Sequence, residues 1–261
     1  MSEFYTSIAN YYDQIFPVGA EKINFLMKSN PKTAIDIACA TGEVMKALEE
    51  KGVKVLGIDL DEKFVEMARE KGLDARKLNM LNLDEIDEKF DLLYCIGNSI
   101  AHLKDYDEIR KFLQKSRDRI NLGGRIVIQF INFEKFLKNE DENGYLGSLP
   151  DIINDEFTFH RNYFKEKDHI RFNTTLVVND LIIENNEILF PLLKDEVVSI
   201  MQEVGFKNIK VYGNFKGEDF DEKVSLPVII TGEVKWTKQL NINLNTEALE
   251  NLKTKRYQKK T

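Results

Sequence analysis

The sequence predicts an α/β fold: a doubly wound, mostly parallel seven-stranded sheet that carries an antiparallel β insertion. Three observations lead there. Apolar runs at Thr33 to Ala38, Val53 to Asp59 and Phe90 to Ile96 alternate with amphipathic segments of helical length, as buried parallel strands and their crossover helices do. The first run stops at a small-residue turn, Ala38-Cys39-Ala40-Thr41-Gly42, and the second ends in Asp59, close to the ~20-residue spacing of a nucleoside-binding βαβ unit. Beyond residue 157 the rhythm changes to short strands separated by polar turns.

Along the chain, Glu3 to Phe16 has apolar residues at helical spacing and ends before Pro17, and Ala20 to Lys28 reads as a second helix. The first strand is followed by a helix over Glu43 to Lys51. After the second strand Asp61 caps a helix that reaches Lys71, and Ala75 to Leu78 is a short third strand. The fourth strand, Phe90 to Ile96, is apolar throughout. Asp105 to Ile120 is an amphipathic helix closed by Asn121-Leu-Gly-Gly124, and Arg125 to Ile131 is the fifth strand. Three antiparallel strands fall between Phe157 and Phe190, with turns at Lys165 to Asp168 and Asn179-Asp180. Pro191 to Val204 returns to helix, and two strands follow, Ile209 to Tyr212 and Leu226 to Glu233. The expected division is a helical lid over 1–30, a sheet domain over 31–140 and 191–234, an antiparallel cap over 141–190, and a tail over 235–261.

Composition narrows the function. Of the 261 residues 43% are hydrophobic and 31% charged, which describes a soluble globular chain. A net charge of −7 argues against wholesale nucleic-acid binding. From Lys235 on there are seven basic residues and two acids, a pattern that reads first as a solvated end and second as an RNA-binding arm. No run approaches the ~20 apolar residues of a membrane span, and no basic-then-apolar leader is seen. Cys39 and Cys95 close apolar runs, which suggests reduced thiols and a cytoplasmic location. The histidines at 102, 160 and 169 lack ligand spacing, so no metal is expected.

The turn Asp36-x-Ala38-x-Ala40-x-Gly42 lacks the dinucleotide pattern G-x-G-x-x-G. It resembles the first motif of class I S-adenosylmethionine-dependent methyltransferases, D/E-x-G-x-G-x-G, with alanine at two glycine positions. Cys95-Ile-Gly-Asn-Ser-Ile-Ala-His-Leu103 resembles the segment after strand four in glycine N-methyltransferase and related small-amine enzymes, G-N-S-x-x-H-L. Asn132, past strand five, extends the likeness, and the late antiparallel strand is similar to the sheet ending of that family.

The resemblance implies a Rossmann-like domain that binds S-adenosylmethionine and releases S-adenosylhomocysteine. It implies a cofactor site built from Tyr11, Asp36, Ala38, Cys39, Ala40, Thr41, Gly42, Asp59, Leu60, Asn79, Met80, Leu81, Ile96, Gly97 and Ser99. In that site Asp59 takes the ribose hydroxyls and Asn79 accepts from the adenine amine. Asn98, Asn132, Tyr12, Arg161 and Arg171 are its candidate substrate contacts, an arginine offering a carboxylate two parallel hydrogen bonds. His102, whose imidazole ordinarily titrates near neutrality, is the candidate base. The methyl acceptor is then a small molecule, with nitrogen favoured over oxygen or carbon. An RNA methyltransferase, a nucleotide-dependent oxidoreductase and a non-catalytic cofactor-binding relative are the competing readings. The sequence leaves the acceptor and the oligomeric state open.

Overall fold

A computed structural model describes residues 8–179 and 181–235. Tyr5, the turn residue Asp180 and the basic tail beyond Lys235 lie outside the described residues. The seven-stranded sheet is present, in the order β10-β11-β5-β4-β1-β2-β3. Its strands are β1 Thr33–Ile37, β2 Lys54–Asp59, β3 Asp74–Lys77, β4 Phe90–Cys95, β5 Ile120–Ile131, β10 Lys207–Tyr212 and β11 Pro227–Glu233. The pairs from β5 through β3 are parallel, whereas β11 runs antiparallel to both β5 and β10. The chain order reverses direction at β1 and β4. Sheets of this kind bind ligands outside the carboxyl ends of strands at such a reversal.

The central strands are buried on both faces, which is why β1 and β4 read as apolar runs. One face packs under α2 Ala20–Met27, α3 Glu43–Glu49 and α4 Glu62–Glu70; the other carries α5 Tyr106–Asp118 and α7 Lys194–Glu203. Helix starts follow the expected chemistry. Asp61 accepts from the Lys63 N–H at 2.8 Å and Asp105 from the Glu108 N–H at 2.9 Å, so each caps its helix.

Three expectations are corrected. Within the described residues the N-terminal segment is a 3-10 turn, Ala9–Tyr11, and a single helical turn, α1 Tyr12–Ile15, in place of one continuous helix. Burial of Ile8 and Ile15 against Phe157, Phe159 and Leu176 sets its shape. The fifth strand starts at Ile120, five residues early. Gly123 N–H donates to Val234 O at 2.8 Å and Val234 N–H to Gly124 O at 3.0 Å, so the supposed stop signal is absorbed by pairing. A short helix, α6 Phe133–Leu137, follows β5.

The insertion has four strands, not three: β6 Tyr145–Ile153, β7 Thr158–Glu166, β8 His169–Val178 and β9 Leu181–Leu189, antiparallel in that order. Register shifts interrupt β6 on both sides of Gly147 and Leu149, and Pro150 lies within it, so no alternating pattern reveals it.

Register assigns the two faces of this second sheet. Tyr163, Phe172 and Glu187 form one cross-strand row, Arg161, Thr174 and Asn185 the next, and Phe159, Leu176 and Ile183 a third. This face packs on the N-terminal segment through the third row and on the main core through Tyr163. The opposite face presents Arg171, Asn173, Asn186 and Ile188 outward.

Candidate active site

The turn after β1 has three residues in the left-handed region: Ala38 at φ 62°, Ala40 at φ 48° and Gly42 at φ 83°. Left-handed backbone costs an L-residue about 1–2 kcal/mol, so the loop keeps the geometry of the glycine pattern with alanine in two places. Hydrogen bonds hold it. Cys39 N–H donates to Ile58 O at 3.0 Å, and Ala40 N–H donates to the Asp59 carboxylate at 2.9 Å. The second carboxylate oxygen of Asp59 accepts from Asp61 N–H at 2.9 Å. Burial raises the pKa of Asp59 and these N–H donors oppose the rise. Each oxygen keeps a further lone pair for a ligand. Leu60, the next residue, is 45% exposed although apolar.

The Ala40 methyl is buried between Ala9 and Phe64, with Tyr12 beside it. The N-terminal segment is fastened over the same loop, since Thr41 Oγ1 donates to the Asp13 carboxylate. Lys71 bridges Asp13 at 2.9 Å and Glu43 at 2.7 Å. Tyr12 packs edge-on to Phe64 at 4.8 Å. Burial and the nearby Asp59 and Asp36 carboxylates push its hydroxyl pKa up, whereas Tyr11 turns to Phe157 of the insertion at 5.8 Å. Tyr12 is therefore the tyrosine on the side of the two carboxylates.

Asp36 is 2% exposed, beside Tyr94 of β4. Burial pushes its carboxyl up to about 8, against the pull of the Tyr94 hydroxyl and Lys22. A carboxyl whose pKa is higher in the fold than in the unfolded chain, ~3.9, takes up a proton on folding. Its contribution to stability is complete below the unfolded value and is lost as pH rises through about 8. Asp36→Asn removes that loss. Thermal melts from pH 5 to 9 are expected to favour the variant over wild type increasingly with pH, whereas parallel curves would discard this role for Asp36.

The second loop leaves β4. Gly97 N–H donates to Gln129 Oε1 at 2.7 Å, Asn98 accepts from Ile131 N–H at 3.0 Å, and Ser99 Oγ donates to Ile96 O at 3.0 Å. These bonds fix a 3-10 turn, Ser99–His102, at the carboxyl end of β4. Asn132 is 2% exposed and donates to Glu222 O and Ser225 O, both at 3.0 Å. Asn98 and Asn132 thus hold backbone. Asn79 caps the 3-10 turn Met80–Glu85 by accepting from Leu81 N–H at 2.8 Å, which leaves its amide group and one lone pair. Met80 and Leu81 are half-buried against the main core. Cys39 and Cys95 are free and buried, and burial pushes both thiols up, which disfavours the thiolate form.

The arginines separate. Arg171 lies on the outward face, stacked 4.4 Å over Phe164 and bonded to Asn186 at 3.3 Å, away from the loops. Arg161 is on the inward face and donates to Pro150 O at 2.6 Å. His102 meets a residue that sequence reasoning did not single out: its Nδ1 is 4.0 Å from Glu187 Oε2, on β9. Crowding by protein lowers the imidazole pKa, while burial raises Glu187 to about 7. Alternation in Leu181–Leu189 marks a strand without telling which face is inward, so Glu187 could not be picked out.

Among the described residues no group of His, Cys, Asp and Glu could hold a metal, and no helix is long and apolar enough to cross a membrane. An open groove of about 370 Å³ lies between α2 and α3, lined by Val18, Ile23, Glu43, Lys46 and Glu50.

Residues 34–124 match the family described as a methyltransferase domain. The chain is 25% identical over 229 residues to a glycine/sarcosine N-methyltransferase of Aphanothece halophytica, covering 82% of this chain and 81% of that one. It is 26% identical over 220 residues to a glycine/sarcosine/dimethylglycine N-methyltransferase of Actinopolyspora halophila, covering 77% of this chain and 36% of that one. The chain thus spans about a third of the length of the second relative. An S-adenosylmethionine-dependent methyltransferase structure from Clostridium acetobutylicum superposes with a TM-score of 0.72 at 17% identity, covering 89% of this chain and 100% of that one, a likeness of fold.

Proposed function

We propose that this chain, whose residues 34–124 match a methyltransferase domain family, is a class I S-adenosylmethionine-dependent methyltransferase that methylates a nitrogen of a small-molecule acceptor. The observation that carries the reading is the closure of the insertion's inward face on the turn after β4. Phe190 N–H, just past β9, donates to Ala101 O at 2.8 Å, and His102 of that turn faces Glu187. A turn covered by protein in this way suits a small acceptor better than a polymer. Two relatives with N-methyltransferase in their names support nitrogen.

S-adenosylmethionine supplies an electrophilic methyl group on a sulfonium. The residues present fit such a ligand. Asp59 retains lone pairs for two ribose hydroxyls, and the exposed Leu60 offers an apolar surface to a flat base. The turn 38–42 brings backbone close, and the Ala40 methyl is occupied by Ala9 and Phe64. Tyr12 covers the loop from above and excludes water. Asn79, Met80 and Leu81 would take the adenine, and Ile96, Gly97 and Ser99, in the turn after β4, would line the cofactor. Asn98 and Asn132 serve by holding the loops, and Arg161 is the arginine placed to meet an acceptor. In-line displacement draws much of its rate from alignment, with effective molarities worth ~7–11 kcal/mol, so a site without a nucleophile is sufficient.

The test is methyl transfer from labelled S-adenosylmethionine to glycine, sarcosine and other small amines, each paired with its hydroxyl counterpart. Methylated amines are expected. Methylation of the hydroxyl compounds alone, or of none of the amines, contradicts the proposal.

A further inference from the structure

Glu187 is a carboxylate in an unusual position, buried on a strand of the insertion with His102 as the nearest basic side chain among the described residues. It sits on the inward face of β9, in one row with Phe172 and Tyr163, whose rings stack at 4.9 Å. Its side chain is 11% exposed. Oε1 is fully buried and accepts no hydrogen bond, while Oε2 lies 4.0 Å from His102 Nδ1, beyond hydrogen-bond length. No lysine or arginine of the described residues pairs with it. Arg161, in the neighbouring row, is tied to Pro150 O, and Arg171 is on the other face.

A buried carboxylate with open lone pairs destabilises the fold. The cost is offset when a ligand brings donors, and the site lies where the ligand must be. Sheet contacts place β9 against the Ser99–His102 turn at the carboxyl end of β4, the side of the sheet to which the proposed function assigns the cofactor. The aromatic row beside Glu187 supplies an apolar wall that strengthens a charge-assisted bond by excluding water.

We propose that Glu187 is the acceptor-recognition residue: its carboxylate binds the N–H groups of a cationic amine and takes the proton that must leave before the nitrogen can attack. This rests on the nitrogen reading above. The freed lone pair forms the N–C bond as the C–S pair departs with sulfur, and the proton held by Glu187 passes to solvent. A group that burial raises to about 7 exchanges its proton near neutrality, whereas the His102 imidazole, lowered by its surroundings, is the weaker acceptor.

The experiment compares wild type with Glu187→Gln on glycine, sarcosine and the hydroxyl analogue glycolate, with S-adenosylhomocysteine affinity and the melting temperature as parallel readouts. The amide keeps the shape and removes the charge. KM for the amine that wild type methylates is expected to rise at least tenfold and the preference for amine over glycolate to shrink by as much. Affinity for S-adenosylhomocysteine should stay within twofold, and the ligand-free protein should melt at an equal or higher temperature. An unchanged amine KM, or an equal loss of S-adenosylhomocysteine affinity, overturns the role of Glu187 and leaves the nitrogen reading standing. No methylation of any amine by wild type overturns both. Should Glu187→Gln fail to fold, Glu187→Asp, which keeps the charge but draws it back by one methylene, is expected to raise the amine KM at least tenfold with S-adenosylhomocysteine affinity within twofold, and an unchanged amine KM overturns the role.

Discussion

Replacing Asp59 by alanine lowers S-adenosylhomocysteine affinity at least tenfold. Each hydrogen bond from a ribose hydroxyl to an ionised carboxylate is worth about 1.5–3 kcal/mol, and every 1.4 kcal/mol is tenfold. The structure adds a second contribution. Asp59 also accepts from Ala40 N–H and Asp61 N–H, so its loss frees the donors that hold the turn 38–42 and the start of α4. Asp59→Asn separates the two effects, because its one carbonyl oxygen can still receive an N–H. Titration calorimetry of both variants, with circular dichroism to establish folding, is the measurement. Unchanged affinity in Asp59→Ala would remove Asp59 from the ribose.

Gly42→Ala is expected to have the largest effect on stability. Gly42 sits at φ 83°, where a side chain is strained, and an added Cβ would lie 2.4 Å from a Leu73 methyl and 3.2 Å from Ala68 Cβ. Left-handed strain of about 1–2 kcal/mol and overpacking of about 1–3 kcal/mol, less a small gain in the unfolded chain, leave about 2–4 kcal/mol. At ~2–4 °C per kcal/mol for a chain of this size, the melting temperature should fall by about 5–15 °C. A change of less than ~2 °C would mean that Leu73 and α4 yield freely, and that the turn is softer than its hydrogen bonds imply.

Ala38 and Ala40 show how far the turn could be read from sequence. Their spacing before Gly42 marked the loop, and the left-handed backbone at all three positions agrees with a glycine pattern. What the Ala40 methyl touches was not legible, because Ala9 and Phe64 meet it only through tertiary packing. The parallel strands were legible for the opposite reason: burial on both faces writes a continuous apolar run into β1 and β4. The strand β6 was hidden by its register shifts and Pro150. The start of β5 was hidden because Asn121-Leu-Gly-Gly124 has the composition of a stop and the environment of a strand. On the insertion, Arg161, Arg171 and Glu187 differ in role because they differ in face. Face is a property of register with neighbouring strands, which one strand's sequence does not contain.

Hydrogen exchange in the presence and absence of S-adenosylhomocysteine tests most directly that the cofactor is held at the carboxyl ends of β1, β2 and β4. Slowed exchange is expected in residues 36–42, 59–61, 79–81 and 96–99, with the outward face of the four-stranded sheet unchanged. Protection absent from those loops, or produced by NAD in place of S-adenosylhomocysteine, would contradict it.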